Sequence, residues 1–266
     1  MKQSRILGLV FLAYAFGTLV LTYNLHAQAQ AQAFAQTSSN TSPTAATKTQ
    51  TAPDFKSISD ITQRKKSFFT YLLPSIHKQN RFLEQQRQQL LTIQEGMEQK
   101  KPVDIAKLAS LSKYYKVKKT DPQAMLSELL NKVDEIPTSL VLAQAANESA
   151  WGTSRFATQA NNYFGQWCFT KGCGLVPNQR EQEAKHEVKA FDSADGSVAG
   201  YFHNINSNHN YQTLRDIRAD LRRDQKTLDG VAMAEGLMRY SSRGEHYIKE
   251  LQAMITYNRL YEYPNQ

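Results

Sequence analysis

Between Ser139 and Ala150 the chain reads SLVLAQAANESA, apolar or small on nearly every side, with Gln144, Asn147 and Glu148 as the larger polar interruptions. A helix of that composition has no face suited to water, so it must run through an interior with other elements packed around it. That requirement demands a domain large enough to wrap a central helix. It also brings a carboxylate, Glu148, to the C-terminal end of a buried helix, on the face shared by Val141, Gln144 and Ala145 at helical spacing. Partial desolvation and the negative end of the helix dipole both raise the pKa of a carboxyl placed there. A carboxyl kept protonated near neutral pH is what a general acid requires. The competing reading is a Glu148 in water at a frayed helix end, paired with Arg155.

The chain opens MKQSRILGLVFLAYAFGTLVLTYNLHAQAQAQAFAQ. Lys2 and Arg5 form a basic start, Ile6 to Leu21 an apolar run, and Ala27, Ala29, Ala33 and Ala35 supply small residues at A-x-A spacing. Residues 1–27 are therefore expected to be a signal peptide or, uncleaved, an N-terminal anchor holding the membrane through residues 6–21. Either outcome places the remainder outside the cytoplasm, in the periplasm or elsewhere in the cell envelope. Residues 28–56 are Gln, Ala, Thr, Ser and Pro with almost no large apolar side chain. Such a segment cannot bury enough surface to offset its ordering entropy and is expected to be a disordered linker. Residues 57–266 remain, enough for one domain with its own core.

Within that domain Phe68, Tyr71, Leu72, Ile76, Phe82, Leu83, Leu90 and Ile93 recur at helical spacing. They predict two helical stretches, or one helix bent near Pro74. Pro102 is expected to open a further helix through Ile105, Leu108, Leu111 and Tyr115, completing a helical subregion over about 62–120. A second subregion, about 121–262, begins at Asp121-Pro122, a cap and first turn for a helix burying Met125, Leu129, Leu130 and Val133. Pro137 stops it, and Thr138 or Ser139 is expected to cap the central helix. After Phe164 the character changes. Gly165 to Gly174 is turn-rich, and Glu183 to Phe191 alternates as a strand or one arm of a hairpin. Helical spacing returns from Ala194 and lasts to the end. The class is α+β, mainly α.

Cys168 and Cys173, in WCFTKGC, are the two cysteines. In an exported protein they are expected to pair across the turn at Lys171-Gly172. Zinc is the competing reading, with His186, His203 and His209 downstream, but no C-x-x-C or H-x-x-x-H spacing supports it. We expect no metal and no cofactor. The net charge of +8 is spread without a long Lys/Arg block. Beyond that charge nothing recommends a nucleic-acid partner, whereas an exported basic protein meets envelope polyanions.

The stretch PTSLVLAQAANESAWGTSRFATQANNYFG, with its E-S-x-W-G and N-Y-F-G pair, resembles the signature of the peptidoglycan glucosaminidases of glycoside hydrolase family 73. Weaker similarity, in order, lies in RKKSFFTYLLPSI, YYKVK, VDEIPTSL, WCFTKGC, Gly200-Tyr201-Phe202 and RYSSRGEHYIKEL. Over residues 62 to 262 the chain is similar to the exported Bax family of gram-negative bacteria. The resemblance implies a lysozyme-like helical domain with a small β-hairpin beside a glycan-binding cleft, acting on peptidoglycan glycan strands. It implies hydrolysis of β-1,4 bonds between N-acetylglucosamine and N-acetylmuramic acid, with Glu148 as the catalytic acid. Asn162, Tyr163, Phe164 and Gly165 match the segment lining the cleft, Tyr240 a tyrosine near the catalytic site, and Tyr247 a supporting aromatic. Trp151 is expected either to pack behind the carboxylate or to form part of a sugar-binding wall. A second carboxylate, if the protein supplies one, is expected from the hairpin, with Glu183 and Glu187 as candidates because residues four apart in a strand share a face. The substrate's own N-acetyl group is the alternative nucleophile. Two other functions compete: a lytic transglycosylase working with Glu148 alone, and a peptidoglycan-binding module without turnover.

Overall fold

The computed structural model describes residues 51–178 and 184–265, so the expected signal and linker lie outside the described residues, apart from the linker's last few positions. The first element, α1 (Ile61–Glu98), is a single helix through Pro74, capped where the Asp60 side chain accepts from the Gln63 amide at 2.6 Å. Leu72 and Ile76, on either side of the proline, are both fully buried. Tertiary packing thus holds together a helix that proline alone would interrupt. Phe82, expected inward, is 43% exposed, because it sits off the stripe formed by Ile76, Leu83 and Leu90.

Helix α2 (Ile105–Tyr114) starts later than Pro102 suggests, since Asp104 takes the cap and accepts from the Lys107 amide. Ile105 therefore falls in the exposed first turn, while Leu108, Leu111 and Tyr115 are buried. Helix α3 (Pro122–Lys132) begins at the expected Asp121 cap with Pro122 in its first turn. Its inward residues are Leu126 and Leu129, with Val133 just beyond; Met125 and Leu130 are only half-buried.

The central helix α4 (Thr138–Ser149) is buried from Thr138 to Ala146. Neither Thr138 nor Ser139 caps it. Pro137 takes the cap position without a side-chain bond, and the Thr138 amide donates instead to Asn265 Oδ1, so the far end of the chain satisfies it. After α5 (Arg155–Ala160) come three short strands, β1 (Trp167–Cys168), β2 (Gly174–Leu175) and β3 (Glu187–Lys189). They form an antiparallel sheet with β3 in the middle, pairing Trp167 with Val188 and Leu175 with Val188. The strand is shorter than the alternation from Glu183 to Phe191 suggests. The Ala190 and Phe191 amides turn to the carbonyls of Cys173 and Ala160 and tie the sheet to α5. Gly174 is required there, because a Cβ on it would lie 1.9 Å from the Val188 carbonyl oxygen.

The chain closes with α6 (Ala194–Ser207), α7 (Gln212–Arg223), α8 (Gly230–Ala234) and α9 (Glu245–Tyr257). Helices α1, α8 and α9 and the turn at Leu260–Glu262 all pack on α4, which answers the demand its composition makes. The result is mainly α with one small sheet. No described helix is long and apolar enough to cross a membrane.

Candidate active site

Helix α4 stops abruptly just after Glu148. Ala150, Trp151 and Gly152 all adopt left-handed backbone, with φ of 49°, 58° and 76°. The Trp151 amide returns to the Ala146 carbonyl, and Ser149 Oγ accepts from the Gly152 amide while donating to Ala145. Glycine is forced at 152 because its positive φ coincides with a close approach to the Phe55 ring, 2.5 Å from where a Cβ would sit. The turn lets the chain leave at once, so Glu148 is half-buried at the mouth of the core rather than covered by a further helical turn.

Behind Glu148 runs a buried chain of polar groups. Tyr201 donates its hydroxyl to Gln144 Oε1 at 2.5 Å, and Gln144 Nε2 donates to the Tyr247 hydroxyl oxygen at 2.9 Å. With that oxygen already accepting, Tyr247 turns its proton to the Glu148 carboxyl. Gln144, Tyr201 and Tyr247 are each fully buried, so their order cannot be scrambled by water. Tyr240 stacks parallel on Tyr247, 5.6 Å between ring centres, and donates to the Phe164 carbonyl at 2.8 Å. Phe164 stacks in turn on Tyr201 at 4.2 Å. Gly165 then crosses the front of the site with φ of 64°, and a Cβ there would lie 3.5 Å from Glu148 Oε2. With glycine in that place the carboxyl oxygen has no side chain in front of it.

Electrostatically the site shifts Glu148 toward its neutral form. Burial pushes the Glu148 carboxyl above the usual glutamate range; the Tyr247 hydrogen bond and the Arg243 charge pull it part of the way back, and Glu250 adds to the rise. Glu250 is itself engaged by Arg243, His246 and Asn147, so most of its charge is answered locally. Burial likewise raises the phenols of Tyr201, Tyr240 and Tyr247, which stay protonated as donors. The arrangement can offer one proton from one carboxyl to an oxygen brought beside Gly165.

The residues expected at the site divide sharply. Glu148, Tyr240, Tyr247, Phe164 and Gly165 come together. Trp151 is half-buried against Phe68 and Phe69 of α1, with Lys65 over its ring. Tyr163 is 1% exposed among Phe68 and Tyr71, leaving it no surface for a substrate. Asn162 is equally buried. Its amide donates to the Gln166 and Lys189 carbonyls and its oxygen accepts from the Phe164 and Gln166 amides, so it braces the loop 162–166 from within.

Glu187 is held within the sheet, its carboxylate accepting from the Gly172 and Gly174 amides at 3.0 and 2.8 Å. Glu183 lies outside the described residues. Cys168 and Cys173 form the expected disulfide, with Cα atoms 6.2 Å apart. Their sulfurs and the Glu187 carboxylate lie within 4.8 Å of one another, but sulfurs bonded to each other are not thiolate ligands. Sequence reasoning missed the roles of Gln144, Tyr201 and Arg243. For Gln144 the signal was there: an amide one helical turn before Glu148, on the same face of a largely apolar helix.

The glucosaminidase family model, described as mannosyl-glycoprotein endo-β-N-acetylglucosaminidase, matches residues 123–260, and the chain belongs to that family. It is a glycoside hydrolase. Over 214 residues it is 35% identical to Protein bax of Escherichia coli (strain K12), covering 79% of this chain and 76% of that protein. No solved structure matches it.

Proposed function

We propose that the protein is an exported peptidoglycan hydrolase that cuts the β-1,4 bond between N-acetylglucosamine and N-acetylmuramic acid, with Glu148 as the general acid. The observation that carries this reading is the placement of Glu148. It is the carboxyl that α4 itself carries at its open end, raised by burial, hydrogen-bonded by Tyr247 and faced by Gly165. Tyr247 donates to the carboxyl, so the acidic proton is left on the side facing the cleft. Donation of that proton to the departing glycosidic oxygen lets the sugar leave as a neutral alcohol.

The peptidoglycan substrate is supported by the E-S-x-W-G and N-Y-F-G resemblance, and export by the basic, apolar and small-residue order of residues 1–27. The hydrogen bonds that Glu187 accepts from the Gly172 and Gly174 amides favour a mechanism in which the substrate's N-acetyl oxygen, or Glu183, completes the displacement.

The test is digestion of isolated peptidoglycan by wild type and Glu148→Gln, with mass spectrometry of the released fragments. Reducing N-acetylglucosamine ends from wild type alone are expected. Anhydromuramyl ends would make the protein a lytic transglycosylase. Sedimentation with the wall and no fragments from either protein would make it a binding module.

A further inference from the structure

Trp167 is 59% exposed, although its partner across the sheet, Val188, is buried. Other aromatic side chains of the protein also reach solvent, and what sets Trp167 apart is how it is held. His186, two residues before Val188, lies flat on the indole, with 4.0 Å between ring centres and 17° between planes. One face of the indole is therefore covered, and the exposure that remains belongs to the opposite face and the edge. Both rings stand beside fixed backbone. Before Trp167, the Gln166 amide donates to Asn162 Oδ1, the Gln166 carbonyl accepts from the Lys189 amide at 2.8 Å, and its side chain donates to the Ser197 carbonyl. After Trp167 comes Cys168, in the disulfide. His186 precedes Glu187, whose carboxylate accepts from the Gly172 and Gly174 amides.

The same hydrogen bonds tie the platform to the reaction centre. Gly165, which faces Glu148 Oε2, precedes Trp167 by two residues, a backbone span of at most about 7 Å. A flat aromatic face that is already rigid loses little freedom when a ligand settles on it. Its partially negative π surface attracts the axial C–H bonds that cover the faces of an equatorially substituted pyranose. We infer that the Trp167 indole, backed by His186, is a stacking subsite for an N-acetylhexosamine ring of the glycan strand, one that flanks the bond held beside Glu148. The identity of that ligand rests on the peptidoglycan-hydrolase reading. The disulfide and the Glu187 hydrogen bonds then serve the site by keeping the two rings in register.

The experiment is calorimetric titration of the full chain, carrying Glu148→Gln to suppress turnover, with the β-1,4-linked tetramer of N-acetylglucosamine. Saturable binding is expected. Adding Trp167→Ala weakens it about tenfold and adding His186→Ala about threefold, while Trp167→Phe recovers part of the loss. Because Trp167 is exposed, its replacement leaves thermal stability nearly unchanged. The control Tyr257→Ala, another exposed aromatic at the end of α9, changes binding by less than about twofold. In peptidoglycan digestion with Glu148 restored, Trp167→Ala raises KM and leaves kcat within about twofold, as loss of binding shared by substrate and transition state does. Absence of saturable tetramer binding overturns the subsite, and capture of phosphatidylglycerol vesicles through Trp167 in its place would make the ring a membrane contact. Wild-type affinity in either platform variant, or equal loss in the control, overturns it too. The two readings fail separately. Wild-type affinity and kinetics in Trp167→Ala remove the subsite and leave the hydrolase, whereas tetramer binding that depends on Trp167, with no fragments from wild type, keeps the subsite and removes the hydrolase.

Discussion

Glu148 and Asp134 begin from the same difficulty and end in opposite states. Each is a carboxylate just at or beyond the C-terminal end of a helix, where burial and the dipole both disfavour its charge. Around Asp134, which is 2% exposed, burial pushes the pKa up but Arg218, Arg222 and Arg87 outweigh it and hold the group below the usual carboxylate range. Arg222 lies 2.8 Å away and Arg87 3.4 Å. Around Glu148 the hydrogen-bond donor is the neutral phenol of Tyr247, with Arg243 drawn off toward Glu250, so burial prevails and the carboxyl is raised. Charged donors fix a structural carboxylate, while neutral donors hold a carboxyl in place without taking its proton.

The largest effect expected from this contrast is on activity. Glu148→Gln keeps the shape but cannot act as the acid, so kcat in a peptidoglycan turnover assay falls by about 10²–10⁴-fold. Retention of more than a few per cent of the wild-type rate would sink the assignment. Stability should move the other way in the two regions. A raised folded pKa means that the native protein holds a proton the unfolded chain has lost, so the Glu148 site costs stability as pH rises from the unfolded value toward the folded one. Glu148→Gln is therefore expected to raise Tm at neutral pH.

Asp134→Asn leaves buried Arg218 without its countercharge and is expected to cost about 3–5 kcal/mol in denaturant unfolding. Its contribution is present above the unfolded aspartate pKa of about 3.9 and lost as pH falls through the lower folded value. An unchanged stability–pH curve in Asp134→Asn would break the comparison.

Next comes Tyr247→Phe. Its hydrogen bond lowers the Glu148 pKa, so its removal raises that pKa further and carries the alkaline fall of activity to higher pH. The rate itself is expected to drop about tenfold through looser placement of the carboxyl. An alkaline limb that stays where it is in wild type would show that the relay from Tyr201 through Gln144 does not tune the acid. The smallest effect belongs to Cys168→Ser with Cys173→Ser. The closed loop is short, so the loss is at most about 2 kcal/mol, read as a modest fall in Tm with faster proteolysis of residues 169–176.

The sequence by itself determined the central helix, its burial and the carboxylate at its end, because composition on every face of a helix and spacing along it are local properties. It determined the Asp121-Pro122 start of α3 and the cysteine pair for the same reason. The N-cap of α4 was not legible there, since the group that satisfies Thr138 is Asn265, at the other end of the chain. Asn162, Tyr163, Phe164 and Gly165 read as one lining segment, yet the fold turns Asn162 and Tyr163 inward and brings Gly165 against the carboxyl. Whether Glu148 would be raised like an acid or lowered like Asp134 was decided only in three dimensions. Both lie at helix ends, and a pKa follows the donors that other helices bring within hydrogen-bonding reach: arginines in one place, a tyrosine in the other.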